Sequence, residues 1–279
     1  MNFSIEEDSA MDSTTNPDGV ASPAIPAKTD RASHPAIARP RPVEIILFVL
    51  GIIILAVASV LVRFHPRPYI IDLQTTETIQ ALQLNPWISA CIEFVSSLNN
   101  PIPSIIALAV WLVGLVTIGL MARTRGKSGF KWFQSATALI LTVAIAGGIN
   151  FIINTLVARP RPGSFGEHII VLSHIPVNSF PSGHTEHDVT YYGFLLYLSF
   201  TQPVSQWRYR WILILFQIFA IVDIFTIGYS RILEGEHWLT DVLAGYLSGA
   251  LWLLMCIVIY RWIRSYIVLR SQQQGAASK

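Results

Sequence analysis

Charge is what this chain has least of. Of its 279 residues only 13% are Asp, Glu, Lys or Arg, against 52% that are hydrophobic. A soluble globular domain carries about twice that charged fraction, so the shortage excludes an ordinary water-soluble domain. A net charge of +2 leaves no basic footprint for nucleic acid. Cysteine is almost missing too. Cys91 falls in an outer connection and Cys256 about four turns into the last apolar run, so the two are not expected to pair and no disulfide framework exists. Internal repeats are also lacking.

What the chain has instead is apolar runs of about 17–25 residues, the length that crosses a bilayer. Six spans are predicted, near 43–62, 102–122, 132–157, 185–201, 211–228 and 241–260. The fourth is the least apolar, because Glu186, His187 and Asp188 sit at its start. Hydrocarbon offers no water to backbone polar groups, so each span must be helical. The fold class expected is all-α: a polytopic membrane protein built as a six-transmembrane-helix bundle. Residues 1–42 are rich in Pro, Ala, Ser, Thr and Asp and read as a disordered cytoplasmic tail. Residues 43–265 form the membrane domain and 266–279 a second cytoplasmic tail. The first apolar run begins too far in for a cleavable signal and is expected to act as a signal-anchor. Between the first two spans, Ile88, Ile92, Val95 and Leu98 recur at helical spacing. They predict an outer amphipathic helix, lying on the membrane surface or packed on the bundle. Gly245 and Gly249 form a small-xxx-small pair, read as close packing within the chain.

Basic residues set the orientation. Arg63, Arg67, Arg159, Arg161 and Arg231 fall on one side of the six spans and the other fourteen of the 19 on the opposite side. The richer side is cytoplasmic. Both termini are therefore expected inside, with residues 228–241 on the extracytoplasmic face.

That outer face collects unusual chemistry. The third span ends in "NTLVARPRPG", the fourth is preceded by "FPSGH", and "YSRILEGEHWLTD" joins the fifth to the sixth. In an antiparallel bundle these segments share one end. Arg161 and Arg231, with Arg159 as a candidate third, offer planar forks for phosphate oxygens. Ser182 and Gly183 stand where a helix start presents free N–H groups and the positive end of its dipole. His237 and Asp241 are four residues apart, a spacing that puts both on one helix face, where a carboxylate can hold an imidazole in one tautomer. His184 is a second imidazole, suited to protonating a leaving oxygen. A helix start disfavours imidazolium, so His184 relies on the substrate's negative charge to keep its proton. Singly, an arginine at a span end is an interfacial anchor and "PSG" is a turn; the combination points to an anion site.

"RPRP", "PSGH" and "SRILEGEHWLTD" resemble, in order, the three signatures of the type 2 phosphatidic acid phosphatase superfamily, and "DVLAG" after them is also typical. The resemblance implies a six-helix membrane lipid phosphate phosphatase. In it His237 attacks phosphorus to form a phosphohistidine, Asp241 orients His237, and His184 protonates the leaving alcohol. Arg161, Ser182, Gly183 and Arg231 bind the phosphate, and no metal or other cofactor is implied. Substrates of the class are phosphatidic acid, phosphatidylglycerol phosphate and polyprenyl (di)phosphate. The chain departs from the pattern at Asn154, a candidate phosphate-binding donor without charge, where the family's first signature has lysine. That lost charge-assisted contact is worth about 1.5–3 kcal/mol. Two alternatives share the same residues: a lipid phosphotransferase, and a catalytically weakened lipid-binding member. The partners expected are a lipid phosphate and membrane lipids, without nucleic acid, and the compartment expected is the plasma membrane.

Other polar residues are given structural readings. Asp223, inside the fifth span, is expected to hydrogen-bond Asn150 or Asn154. Glu186 and Asp188 are read either as a polar wall or as helix-dipole partners, and His187 as lining the same entrance or, in preference, as bound to a structural partner. His65, His168 and His174 are read as solvated, without metal-ligand spacing.

Overall fold

Each apolar run becomes a helix. The computed structural model describes residues 37–166, 168–172, 178–206 and 208–277, and the described residues contain no strand. The helices are α1 (Pro42–Phe64), α2 (Ile70–Ala81), α3 (Pro86–Leu98), α4 (Pro101–Thr124), α5 (Phe130–Val157), α6 (Gly183–Phe200), α7 (Leu213–Leu233) and α8 (Leu239–Ala277). Three open on proline at the first helical position, where the missing N–H has no intrahelical role: Pro42, Pro86 and Pro101.

Five helical segments are long and apolar enough to cross a membrane: α1, α4, α5, Arg210–Leu233 (which includes α7) and α8. Their outer faces leave large side chains exposed, such as Ile46, Val110, Leu215 and Phe225, the pattern of a surface meant for lipid. The fourth predicted span, α6, differs. It packs against α5, α7 and α8, burying Glu186, Asp188, Tyr191, Phe194 and Leu195. A helix enclosed by others has no need of an apolar outer face. Around it Leu139, Tyr191, Phe194, Leu198, Ala220 and Tyr260 form one apolar core, and Leu55, Phe180 and Leu251 anchor another beside α1 and α8.

Gly245 and Gly249 seat α8 on α6, as expected. A Cβ at Gly249 would lie 2.7 Å from Val189 Cβ, and one at Gly245 would lie 2.7 Å from Ser182 O. The helix expected around Ile88–Leu98 exists as α3 and packs against α7. Its buried face is partly polar: Ile92 and Ser96 are covered, while Ile88, Trp87 and Phe94 are exposed. Helix α2 was not anticipated.

The ends of the described chain meet α8. Residues 1–36 lie outside the described residues, but Ala38 N–H donates to Ser265 Oγ at 2.8 Å, so the chain is already docked on α8 before α1 begins. Residues 266–277 continue α8 without a break. Near the same end Arg261 clasps Glu44 with both terminal nitrogens, at 2.7 and 2.8 Å.

Candidate active site

The three signature segments meet at one end of the bundle. Ser179 N–H donates to Arg159 O at 2.9 Å, Ser182 N–H to Asp241 O at 3.0 Å, and Leu172 N–H to Glu234 O at 3.0 Å. Helix α5 is stopped by Ala158, whose φ of 51° puts it in the left-handed region while its N–H caps Asn154 O.

Just past that stop, Arg159 turns inward. It is fully buried, with Nη2 2.8 Å from Asp72 Oδ2 and Nη1 2.5 Å from Asp241 Oδ1. Nη1 also donates to Thr240 Oγ1 at 2.7 Å, and its guanidinium lies over the rings of Tyr69 and Trp238. Arg159, the candidate third phosphate fork, here has both terminal nitrogens on buried carboxylates. Asp72 was not anticipated at all. It caps its own helix by accepting from Tyr69 N–H, and it accepts from Thr240 N–H at 2.9 Å at the start of α8. No sequence spacing links it to Arg159, 87 residues away.

His237 sits in the turn before α8, fully buried. Its Nδ1 lies 2.7 Å from Ser179 O. A carbonyl can only accept, so Nδ1 carries the proton and Nε2 keeps its lone pair. Asp241 Oδ2 is 3.9 Å from the same Nδ1. The hydrogen-bond acceptor of Nδ1 is thus a backbone carbonyl, with the expected orienter Asp241 standing just beyond it. Asp241 instead caps α8, accepting from Trp238 N–H at 3.0 Å, and neutralises Arg159. Burial, reinforced by the nearby Arg161 charge, holds the His237 imidazole below its ordinary pKa despite Asp241.

Arg161 faces this imidazole. Its Nη1 is 3.3 Å from His237 Nε2 and donates to Glu236 O at 2.7 Å. Arg231 lies buried on the other side, with Nη1 2.6 Å from Glu236 Oε2 and Nη2 2.9 Å from Glu234 Oε2; Nη2 also contacts Ser96 Oγ. Glu234 and Glu236, both conspicuous in "SRILEGEH", are neighbours of the site for which the sequence suggested no role. One ring nitrogen of His184, one of His237 and one carboxylate oxygen of Glu236 lie within 4.8 Å of one another. This donor set has the makings of a metal site, but Arg161 and Arg231 flank it, and two guanidinium charges there favour an anion over a dication.

Ser182 precedes the first residue of α6 and is fully buried, accepting from Thr185 Oγ1 at 3.0 Å. Gly183 and His184 line a cavity of about 410 Å³ together with Arg161, His237, Asn150 and Asn154. The lining also includes Ser104 and Ile105 of α4 and Phe151 of α5, and the last two are exposed, apolar side chains. Asn154 occupies the place of the expected lysine. Its amide N–H groups go to Asn178 O at 2.9 Å and Phe180 O at 3.2 Å, and Asn178 Nδ2 returns a bond to Asn154 O at 3.0 Å. Asn154 thereby holds the loop that carries Ser179.

The remaining acids are rearranged relative to expectation. Asp223 accepts from Asn99 Nδ2 at 3.3 Å, and Asn150 donates instead to Glu186 at 2.9 Å. His187 stacks on Tyr191 at 5.4 Å and also lines the cavity beside His184. His65 and His168 are exposed; His174 lies outside the described residues.

Comparison with known proteins places this geometry. Residues 135–265 match the family model described as "PAP2 superfamily". The chain is similar to a lipid A 1-phosphatase of Rhizobium etli, 25% identical over 52% of this chain and 65% of that one. It is also similar to an undecaprenyl-diphosphatase of Sulfolobus acidocaldarius, 29% identical over 50% of this chain and 59% of that one. It therefore spans less than two thirds of the length of these two curated relatives. A solved structure, the first transmembrane PAP2 type phosphatidylglycerolphosphate phosphatase from Bacillus subtilis, shares the fold. Its TM-score is 0.55 at 19% identity, over 76% of this chain and 93% of that one. The described all-helical bundle, with the arginine, serine-glycine-histidine and histidine-aspartate segments gathered at one end, agrees with those matches: residues 135–265 are similar to the PAP2 superfamily.

Proposed function

We propose that the protein is a lipid phosphate phosphatase working through a phosphohistidine. The observation that carries this reading is the state of His237: Nδ1 donates to Ser179 O, which leaves the Nε2 lone pair directed at Arg161 and close to His184. Nε2 attacks phosphorus, an N–P bond forms and the P–O bond to the lipid breaks. His184 gives its proton to the departing oxygen and then takes one from the water that hydrolyses the phosphohistidine. Arg161, Arg231, Ser182 and the first-turn N–H groups at Gly183 bind the phosphate oxygens. Asp241 acts through Arg159 and the α8 cap. This chemistry routes no step through a metal. The relatives named for lipid A, undecaprenyl diphosphate and phosphatidylglycerol phosphate support a lipid-borne phosphate monoester or diphosphate, phosphatidic acid included. A cavity lined in part by Ile105 and Phe151 suits a substrate whose chains stay in lipid.

In the membrane, α6 is the sixth span, enclosed by α5, α7 and α8. Both termini are cytoplasmic and the site faces outward across the plasma membrane, in keeping with the distribution of basic residues.

Asn154 supports a second reading, a weakened member. Its amide is committed to loop carbonyls and brings no charge to the phosphate. Phosphate release in detergent from phosphatidic acid, phosphatidylglycerol phosphate and polyprenyl diphosphate separates the readings. The wild type is expected to release phosphate and His237→Ala to release none. A wild type as inactive as His237→Ala, with Asn154→Lys active, would establish the weakened member. Phosphate recovered on an added lipid alcohol would mark a phosphotransferase.

A further inference from the structure

One anion already sits among the catalytic groups. The Glu236 backbone is fixed on both sides: its N–H donates to Arg231 O at 3.0 Å and its C=O accepts from Arg161 Nη1 at 2.7 Å. Gly235 just before it has a φ of 67° and room for no Cβ, because Ile170 O lies against it. The side chain is therefore aimed rather than loose. It is 3% exposed, with Oε2 2.6 Å from Arg231 Nη1. A carboxylate oxygen stands within 4.8 Å of ring nitrogens of both His184 and His237. A phosphorus poised for attack must come to about 3–3.5 Å from the nucleophile, with its leaving oxygen at the second imidazole and its other oxygens on the guanidinium groups. That space is where Glu236 lies.

We infer that Glu236 is a specificity-determining residue: its carboxylate holds the phosphoryl seat until substrate displaces it. The inference rests on the phosphatase reading for the identity of the seat. A tethered carboxylate of charge −1 competes on more than equal terms with a phosphodiester of charge −1, because it is always present at high effective concentration. A phosphate monoester or diphosphate, with more charge and more acceptor oxygens, wins the exchange. Glu236 thereby keeps the abundant phosphodiester lipids of a bilayer out of a site whose cationic groups would otherwise attract them. Glu234 pairs with the same Arg231 at 2.9 Å but is not part of the histidine cluster, so it serves as the internal control.

Orthophosphate binding to the full chain in detergent, followed by calorimetry and by thermal shift, tests this directly. Glu236→Gln is expected to bind orthophosphate at least about tenfold more tightly than wild type, the factor that one charge-assisted contact supplies. It also becomes inhibited by phosphatidylglycerol micelles that leave wild type unaffected. Glu236→Asp keeps the charge but withdraws the carboxylate by one methylene, and is expected to tighten phosphate by a smaller factor; Glu234→Gln changes binding less than twofold. Equal tightening by Glu234→Gln and Glu236→Gln would reduce the effect to charge alone and overturn the inference. So would unchanged or weaker binding in both Glu236 variants. Because binding is read without turnover, a wild type that hydrolyses no lipid phosphate yet shows this ranking would sink the phosphatase reading and spare the inference. Hydrolysis with a flat ranking would do the reverse.

Discussion

Removing Asp72 should unseat the start of α8 from a distance. This residue lies on α2, outside all three signature segments, yet it is fully buried and accepts from Arg159 Nη2, Thr240 N–H, Thr240 Oγ1 and Tyr69 N–H. Asp72→Ala would leave Arg159 buried with Asp241 as its remaining carboxylate partner and would orphan the Thr240 N–H. Breaking a buried pair by deleting one partner costs about 3–5 kcal/mol. For a chain of this size that corresponds to an apparent melting drop of about 10 °C. Asp72→Asn keeps the shape and most acceptor contacts and loses only the charge, so about 1.5–3 kcal/mol is expected. Both variants should lose phosphate release as well as stability, because Trp238, Thr240 and Asp241 form the first turn that positions His237. Detergent-solubilised protein would be followed by thermal unfolding and by phosphate release at a temperature where each variant is folded. An Asp72→Ala protein that melts within about 2 °C of wild type, less than 1 kcal/mol, and turns over normally would refute the reasoning.

Three further outcomes follow from the structure. The attacking form of His237 is the neutral imidazole, and burial with Arg161 holds its pKa down; a lowered value keeps it neutral to lower pH. The acid limb of kcat/KM should therefore fall below about pH 6.5, the ordinary imidazole value, and a limb above that value would contradict the assignment. Gly249→Val would press its Cβ on Val189 Cβ and Glu186 O, 2.7 and 3.0 Å away, and overpacking of this kind costs about 1–3 kcal/mol. Gly148→Ala, where nothing stands within 4 Å, should be neutral or slightly stabilising in the same melting assay, since Ala is favoured over Gly in a helix by about 0.5–1 kcal/mol.

The helices were legible because hydrocarbon allows a spanning segment so few alternatives; the α5, α6 and α7 boundaries differ from the sequence reading mainly at their ends. Helix α8 ran past its predicted stop, since "RWIRSYIVLR" keeps helix-compatible residues without glycine or proline after the apolar run that signalled the span. Helix α2 escaped notice because "IIDLQTTETIQA" shows no apolar stripe; what it buries is Asp72 and Thr76, and their value lies in partners far along the chain. The site was visible as a set of residue types, and Arg161, His184 and His237 do come together. Their partners were not visible. Two arginines in "RPRP" look alike in sequence, but the left-handed turn at Ala158 precedes a segment that sends Arg159 to Asp72 and Asp241 while Arg161 meets His237. Likewise the His-xxx-Asp spacing suggested a direct contact, whereas His237 precedes the helix that Asp241 caps and donates its hydrogen bond to a loop held by Asn154.

The most direct test of a phosphohistidine at His237 is rapid acid-free quenching of the protein during turnover of a 32P-labelled lipid phosphate, followed by peptide mapping. Acid-labile, alkali-stable label on the peptide containing His237, and its loss in His237→Ala, is the expected result. Undiminished phosphate release by a folded His237→Ala protein, with no labelled histidine in the wild type, would contradict it.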